Sequence, residues 1–154
     1  GKVVRVRESG AAWAVDRGPF DVPTKLRSAP SAAVDGAGTL YLGYGIDSTK
    51  TVFGFPDNME SPRVVKLGPT DTAFGTEEAP GGAVDDRIIH TRLDVAADGR
   101  VLMTYCSDDS SLVFLNTRMC FKRMRAAAGG WTTPPAPAKA RCLEYAFSAT
   151  TLSA

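Results

Sequence analysis

The chain has 154 residues, 44% of them hydrophobic and 23% charged, which suffices for one folded domain with its own core. Eighteen Lys and Arg against 17 Asp and Glu leave a formal net charge of +1, which argues against a nucleic-acid or other polyanion binder. No apolar run approaches the ~20 residues of a membrane-spanning helix, and no basic segment followed by an apolar one opens the chain, so any signal peptide is expected to be already removed.

Short β-rich runs separated by turn residues follow one another from the start. Lys2–Arg7 is β-rich and partly alternating. Asp35-Gly36-Ala37-Gly38 is a turn cluster, and Thr39–Tyr44 after it is a compact apolar strand. Gly54-Phe55-Pro56-Asp57-Asn58 reads as a second turn, followed by the shorter strands Val64–Leu67 and Ile88-Ile89. Asp98-Gly99 leads into the strand Arg100–Tyr105, Ser107–Ser110 reads as a hairpin tip, and Leu112–Leu115 as a further strand. The best helix-like run, Met124–Ala128, is short and ends at Gly129-Gly130. Many short strands with Asp-Gly turns predict an all-β domain.

The sequence also repeats. Ala32–Tyr44 and Leu93–Tyr105 each read as an apolar strand, an Asp/Gly turn, a second apolar strand and a terminal Tyr, with Tyr44 and Tyr105 61 positions apart. Tyr145–Ala154 reads as the start of a third copy. Arg5–Trp13 and Lys122–Trp131 share a basic-apolar strand, a Gly turn and a Trp, 118 positions apart. Arg63–Pro69 lies near the middle of that interval and lacks the Trp. A period near 60 residues with about four strands is what a propeller blade shows. The approximate repeats are 1–62, 63–121 and an incomplete 122–154.

This cadence resembles the sialidase-like β-propellers that carry Asp-box (BNR) repeats. Gly10-Ala11-Ala12-Trp13 is similar to the end of the Asp-box, Ser-x-Asp-x-Gly-x-x-Trp; the Ser-x-Asp half is absent, and at Trp131 the spacing contracts to Gly130-Trp131. The resemblance implies four-stranded blades, about two and a half of them here. Propellers have about 4–8 blades, so the chain reads as part of a larger ring, completed by the rest of its own chain or by further copies. The alternative is a β-sandwich in which the repeat is two ordinary hairpins.

His90 is the one histidine, which rules out a multi-histidine metal site within this chain. Asp85, Asp86, Arg87 and His90 form the densest titratable cluster, and a carboxylate beside an imidazole can act as an acid/base pair; the bland reading is a charged loop leading into a strand. Asp35 and Asp98 read as turn-capping residues, and Asp108-Asp109 as a polar hairpin tip. By the resemblance, a sialidase would need an arginine cluster, a Tyr/Glu pair and an acid; Arg92, Arg118, Arg123, Glu144 and Tyr145 supply the residue types. Arg92 and Tyr145 precede innermost strands in the repeat alignment and are the candidate ligand contacts, together with Asp85, Asp86 and His90. Trp13 and Trp131 read as packing residues. Cys106, Cys120 and Cys142 permit one disulfide and a free thiol, or three thiols, with Cys106 and Cys120 placed to meet across a hairpin. No Gly-rich phosphate loop is present, so no nucleotide cofactor is expected, and no metal. The expected function is binding or scaffolding in a secreted or cell-envelope protein with a carbohydrate or protein ligand; the alternative is part of a sialidase-like glycoside hydrolase completed by residues outside this chain.

Overall fold

The computed structural model describes residues 1–52, 55–81, 84–85, 87–109, 117–133 and 139–141. Among them the chain is all-β, in three antiparallel sheets that remain open. The first is a hairpin of β1 (Lys2–Ser9) and β2 (Ala12–Asp21). The second is a meander of β3 (Ser31–Val34), β4 (Leu40–Val52), β5 (Phe55–Leu67) and β6 (Val84–Asp85). The third runs β7 (Arg87–Val95), β8 (Val101–Asp109) and β9 (Thr117–Arg125), with β10 (Trp131–Thr132) and β11 (Lys139–Arg141) both on β9.

The two larger sheets are built alike. Segments 39–44 and 100–105 enter the second strand of each, in separate sheets, as the 61-residue offset predicts. In each sheet the last position is filled in two pieces. Glu78 bridges Val64 while β6 pairs with Met59 and Glu60. Likewise β10 pairs with Met124 and Arg125, and β11 with Met119–Phe121. The approximate repeat bounds at 62/63 and 121/122 fall inside β5 and β9, so the sequence repeat is out of phase with the sheets.

One turn recurs three times. The amide of Asp35 donates to the Thr39 carbonyl and that of Gly38 to the Asp35 carbonyl; the same pair of bonds closes Ala96–Arg100 and Ala126–Gly130. Each turn has a glycine at positive φ in its fourth place, Gly38 (84°), Gly99 (83°) and Gly129 (107°), a backbone that glycine adopts without a Cβ clash. Asp35 Oδ1 accepts the amides of Ala37 and Thr39, and Asp98 Oδ1 accepts that of Arg100, so both aspartates cap turns as the sequence suggests. The helix-like stretch Met124–Ala128 is the end of β9 and the start of the third turn; the pairing with β8 and β10 overrides the local helical preference.

Two further expectations are corrected. Phe55–Asn58 is strand, because β5 pairs with β4 without interruption out to Val52 and Phe55; the ladder overrides the turn propensity of Pro56-Asp57-Asn58. Ser107–Asp109 likewise continues β8, paired against Met119, Arg118 and Thr117. Gly54 at the start of the expected second turn, the expected strand Leu112–Leu115, the end of the expected tip at Ser110, and the third copy at Tyr145–Ala154 lie outside the described residues.

The central sheet is covered on both faces. Strand alternation sends Tyr41 one way, into a core with Val64, Ile88, Leu93, Val101, Met103 and Tyr105. It sends Leu42 and Tyr44 the other way, to Val65, Val22 and Val3. Gly43 makes the first contact possible, since a Cβ there would lie 3.0–3.2 Å from the Leu93 side chain. The hydroxyl of Thr91 donates to the Ala29 and Gly43 carbonyls, and the Leu93 amide to Ser31 Oγ, so β7 is seated across the central sheet. Cys106 and Cys120 stand directly opposite in the β8–β9 register and form a disulfide.

Candidate functional site: an apolar cleft between the hairpin and the central sheet

The charged groups of the interior hold sheets together. The Glu78 carboxylate accepts Arg125 Nε at 2.6 Å and Nη2 at 3.0 Å, and Trp131 Nε1 at 2.8 Å, with Lys66 Nζ at 3.0 Å. Lys66 belongs to the central sheet, whereas Arg125 and Trp131 belong to the third, so one carboxylate pins the two. Burial acts to raise the Glu78 pKa, but the hydrogen bonds from Arg125, Lys66 and Trp131 outweigh it and hold the group below the usual glutamate value. The neighbouring Glu77 points to the opposite face, where it accepts the Tyr44 hydroxyl (2.8 Å), the Thr24 hydroxyl (2.6 Å) and Arg63 Nε (3.0 Å). Tyr, Glu and Arg are the residue types of a sialidase centre. Tyr44 is fully buried, however, and burial with the Glu77 carboxylate pushes its hydroxyl well above the ordinary tyrosine pKa. The Tyr44 hydroxyl is spent on that buried bond, while the Arg63 and Glu77 side chains stay 23% and 21% exposed.

One accessible feature among the described residues is a cleft of about 330 Å³ between the hairpin and the central sheet. One wall is Ala32 and Val34 of β3, Leu40 of β4 and Leu67 of β5. The other is four successive residues of β1, Val3, Val4, Arg5 and Val6, with Phe20 and Arg17. The β1–β2 register shifts between Val3 and Arg5 and again between Arg5 and Val6, and such bulges break the alternation of faces, so four residues in a row reach one cleft. Arg5 is ion-paired with Asp16, and Arg17 is tied to the carbonyls of Gly68, Pro69 and Asp71. Those bonds anchor the hairpin to the loop after β5.

Beside the cleft lies an uncovered apolar surface. Val6 stands opposite Val15, and Glu8 opposite Trp13; Val4, Val6, Val15 and Trp13 are 50%, 48%, 64% and 70% exposed. Val34, on the far wall, is 57% exposed. The two tryptophans therefore differ. Trp131 packs on the inter-sheet core and is hydrogen-bonded to Glu78, as a packing residue should be. Trp13 occupies the same place after a Gly turn, but no described residue of this chain covers it.

Among the residues that the sequence singles out, Arg92 is exposed on β7, opposite Thr104, and His90 is two positions away, opposite Cys106. Asp85 is on β6, opposite Met59, in the other sheet. Asp86 and Tyr145, with Glu144, lie outside the described residues. Arg118 stands opposite Asp108, and the Arg123 guanidinium lies 6.0 Å from the Tyr105 ring centroid. None of the candidate ligand contacts is among the described residues that line the cleft. The lining residues are valines and leucines, which composition alone reads as core. The available signal was the apolar strand 2–7, which has one partner strand among the described residues. Comparison with family models, with curated proteins and with solved structures finds no match to this chain.

Proposed function

We propose that the chain is a binding or scaffolding segment of a β-propeller-like repeat protein, working outside the cell or in its envelope. Two features support the propeller over a sandwich. Each large sheet is contiguous in sequence, and the strands of each follow one another as a meander, whereas sandwiches of the immunoglobulin kind exchange strands between sheets by Greek-key connections. The Cys106–Cys120 disulfide supports an oxidising compartment.

The observation that carries the functional reading is the apolar surface formed by Val4, Val6, Trp13, Val15 and Val34. A contiguous apolar patch on a small domain marks an interaction site. Four of its five residues are valines, which favours a polypeptide over a glycan, since sugars are held by polar groups placed around aromatic faces and Trp13 is the one aromatic of the patch. Light scattering on the purified chain across a concentration series tests this. The expected result is self-association or a copurifying partner, because exposed apolar surface is worth ~25 cal/mol per Å² when buried. A stable 16.3 kDa monomer that binds no apolar dye defeats the reading.

A further inference from the structure

The hairpin β1–β2 is supported unevenly along its length. At its foot Phe20 and Val22 are buried, Val3 packs against the cluster of Val22, Leu42, Tyr44 and Val65, and the Val22 amide donates to the Gly1 carbonyl. At its far end every residue from 6 to 15 is exposed. A two-stranded ribbon is marginal by itself and takes its position from whatever holds it. Between foot and tip lies Arg17.

The ladder is broken at that point. Val3 faces Phe20, Arg5 faces Arg17 and Val6 faces Val15, so β2 carries one extra residue on each side of Arg17. Each extra residue stays out of the ladder and lets the strand bend. The Arg17 guanidinium donates to the carbonyls of Gly68, Pro69 and Asp71 and lies 5.2 Å from the Phe20 ring centroid. Its receptor is a closed turn, in which the Asp71 amide donates to the Gly68 carbonyl and the Gly68 amide to Asp71 Oδ2. A guanidinium spreads several donors in one plane over such a group of acceptors, which an ammonium on its flexible stem does not reproduce. Among the described residues, Arg17 supplies the side-chain hydrogen bonds that join residues 2–21 to the central sheet and its loops.

We propose that the hairpin is a hinged flap over the cleft, held closed by Arg17 as a latch. The foot stays in the core and residues 6–15 swing about the two bulges. Leu40 and Leu67 on the cleft wall are covered while the guanidinium is seated and bared when it leaves. Such opening belongs to the weakly supported end of a structure, and a few residues between packed parts absorb the change. The inference concerns access to the cleft and holds whether or not the patch beside it binds a partner.

The test uses the full chain with isotope-labelled Leu and Val methyl groups and a soluble gadolinium chelate, whose relaxation enhancement grows with solvent exposure. Leu67 lines the cleft and is 5% exposed. Arg17→Met keeps the bulk of the aliphatic stem and removes the donors; it is expected to raise the enhancement at the Leu67 methyls at least about twofold. Val64 and Val101, buried in the core between the central and third sheets, should keep their wild-type values. Arg17→Lys keeps the charge and should lie between wild type and Arg17→Met. No rise at Leu67 in Arg17→Met overturns the latch. A rise shared equally by Val64 and Val101 also overturns it, since Arg17 would then serve overall stability. A Lys variant indistinguishable from wild type assigns the attachment to charge alone and overturns the carbonyl cradle.

Discussion

Glu78→Gln removes the charge that joins the central and third sheets while keeping the size of the side chain. In the native chain that carboxylate takes two bonds from Arg125, one from Trp131 and an ion pair from Lys66. The Arg125 side chain is 9% exposed and that of Glu78 22%. Breaking a buried pair by removing one partner costs about 3–5 kcal/mol, because the remaining charge stays desolvated. Partial exposure of Glu78 lowers the expectation to about 2–4 kcal/mol, a large share of the ~5–15 kcal/mol of a typical domain. Urea unfolding followed by Trp fluorescence at neutral pH reads it, with Trp131 as a reporter at the junction. The pH dependence supplies a second check. Glu78 has a folded pKa below its unfolded value of about 4.5, so the folded state binds the proton less readily than the unfolded one. Its contribution is fully present above about pH 4.5 and is lost as pH falls through the lower folded value. The gap between wild type and Glu78→Gln should therefore close in acid. A neutral-pH difference under about 0.5 kcal/mol, or one unchanged down to about pH 2, refutes the pin.

Three further outcomes are expected. Thiol titration of unfolded, unreduced chain should find about one thiol, because Cys106 and Cys120 are paired and Cys142 is the remaining cysteine; a count of three refutes the disulfide. Gly43→Val should lower stability by about 2 kcal/mol in urea, since its Cβ would lie 3.0–3.2 Å from Leu93 and β7 would have to lift; an unchanged midpoint means the sheets do not meet there. Trp131→Ala should cost about 3 kcal/mol through lost packing and the lost bond to Glu78. Trp13→Ala should cost under about 0.5 kcal/mol, and equal costs would undo the contrast between the two tryptophans.

The all-β class, the main strands and the 61-residue offset were legible in sequence, because apolar runs and Asp-Gly turns are local signals. The turns at 35–39 and 96–100 were legible for the same reason, as each carries a capping aspartate and a glycine at positive φ. The extension of β5 through Pro56-Asp57-Asn58 was not, since it depends on pairing with β4, and turn propensity is weaker than a continuous ladder. The candidate ligand contacts were chosen by residue type, which says nothing of who meets whom. Only the tertiary structure could commit Glu77 and Glu78 to opposite faces of one sheet, or set Gly43 beneath Leu93. Only it could separate two tryptophans with matching local sequence, covering Trp131 and leaving Trp13 bare. The reason is that burial belongs to the neighbour: a strand's own residues determine which faces are apolar, and the sheets around it decide which of those faces stay open.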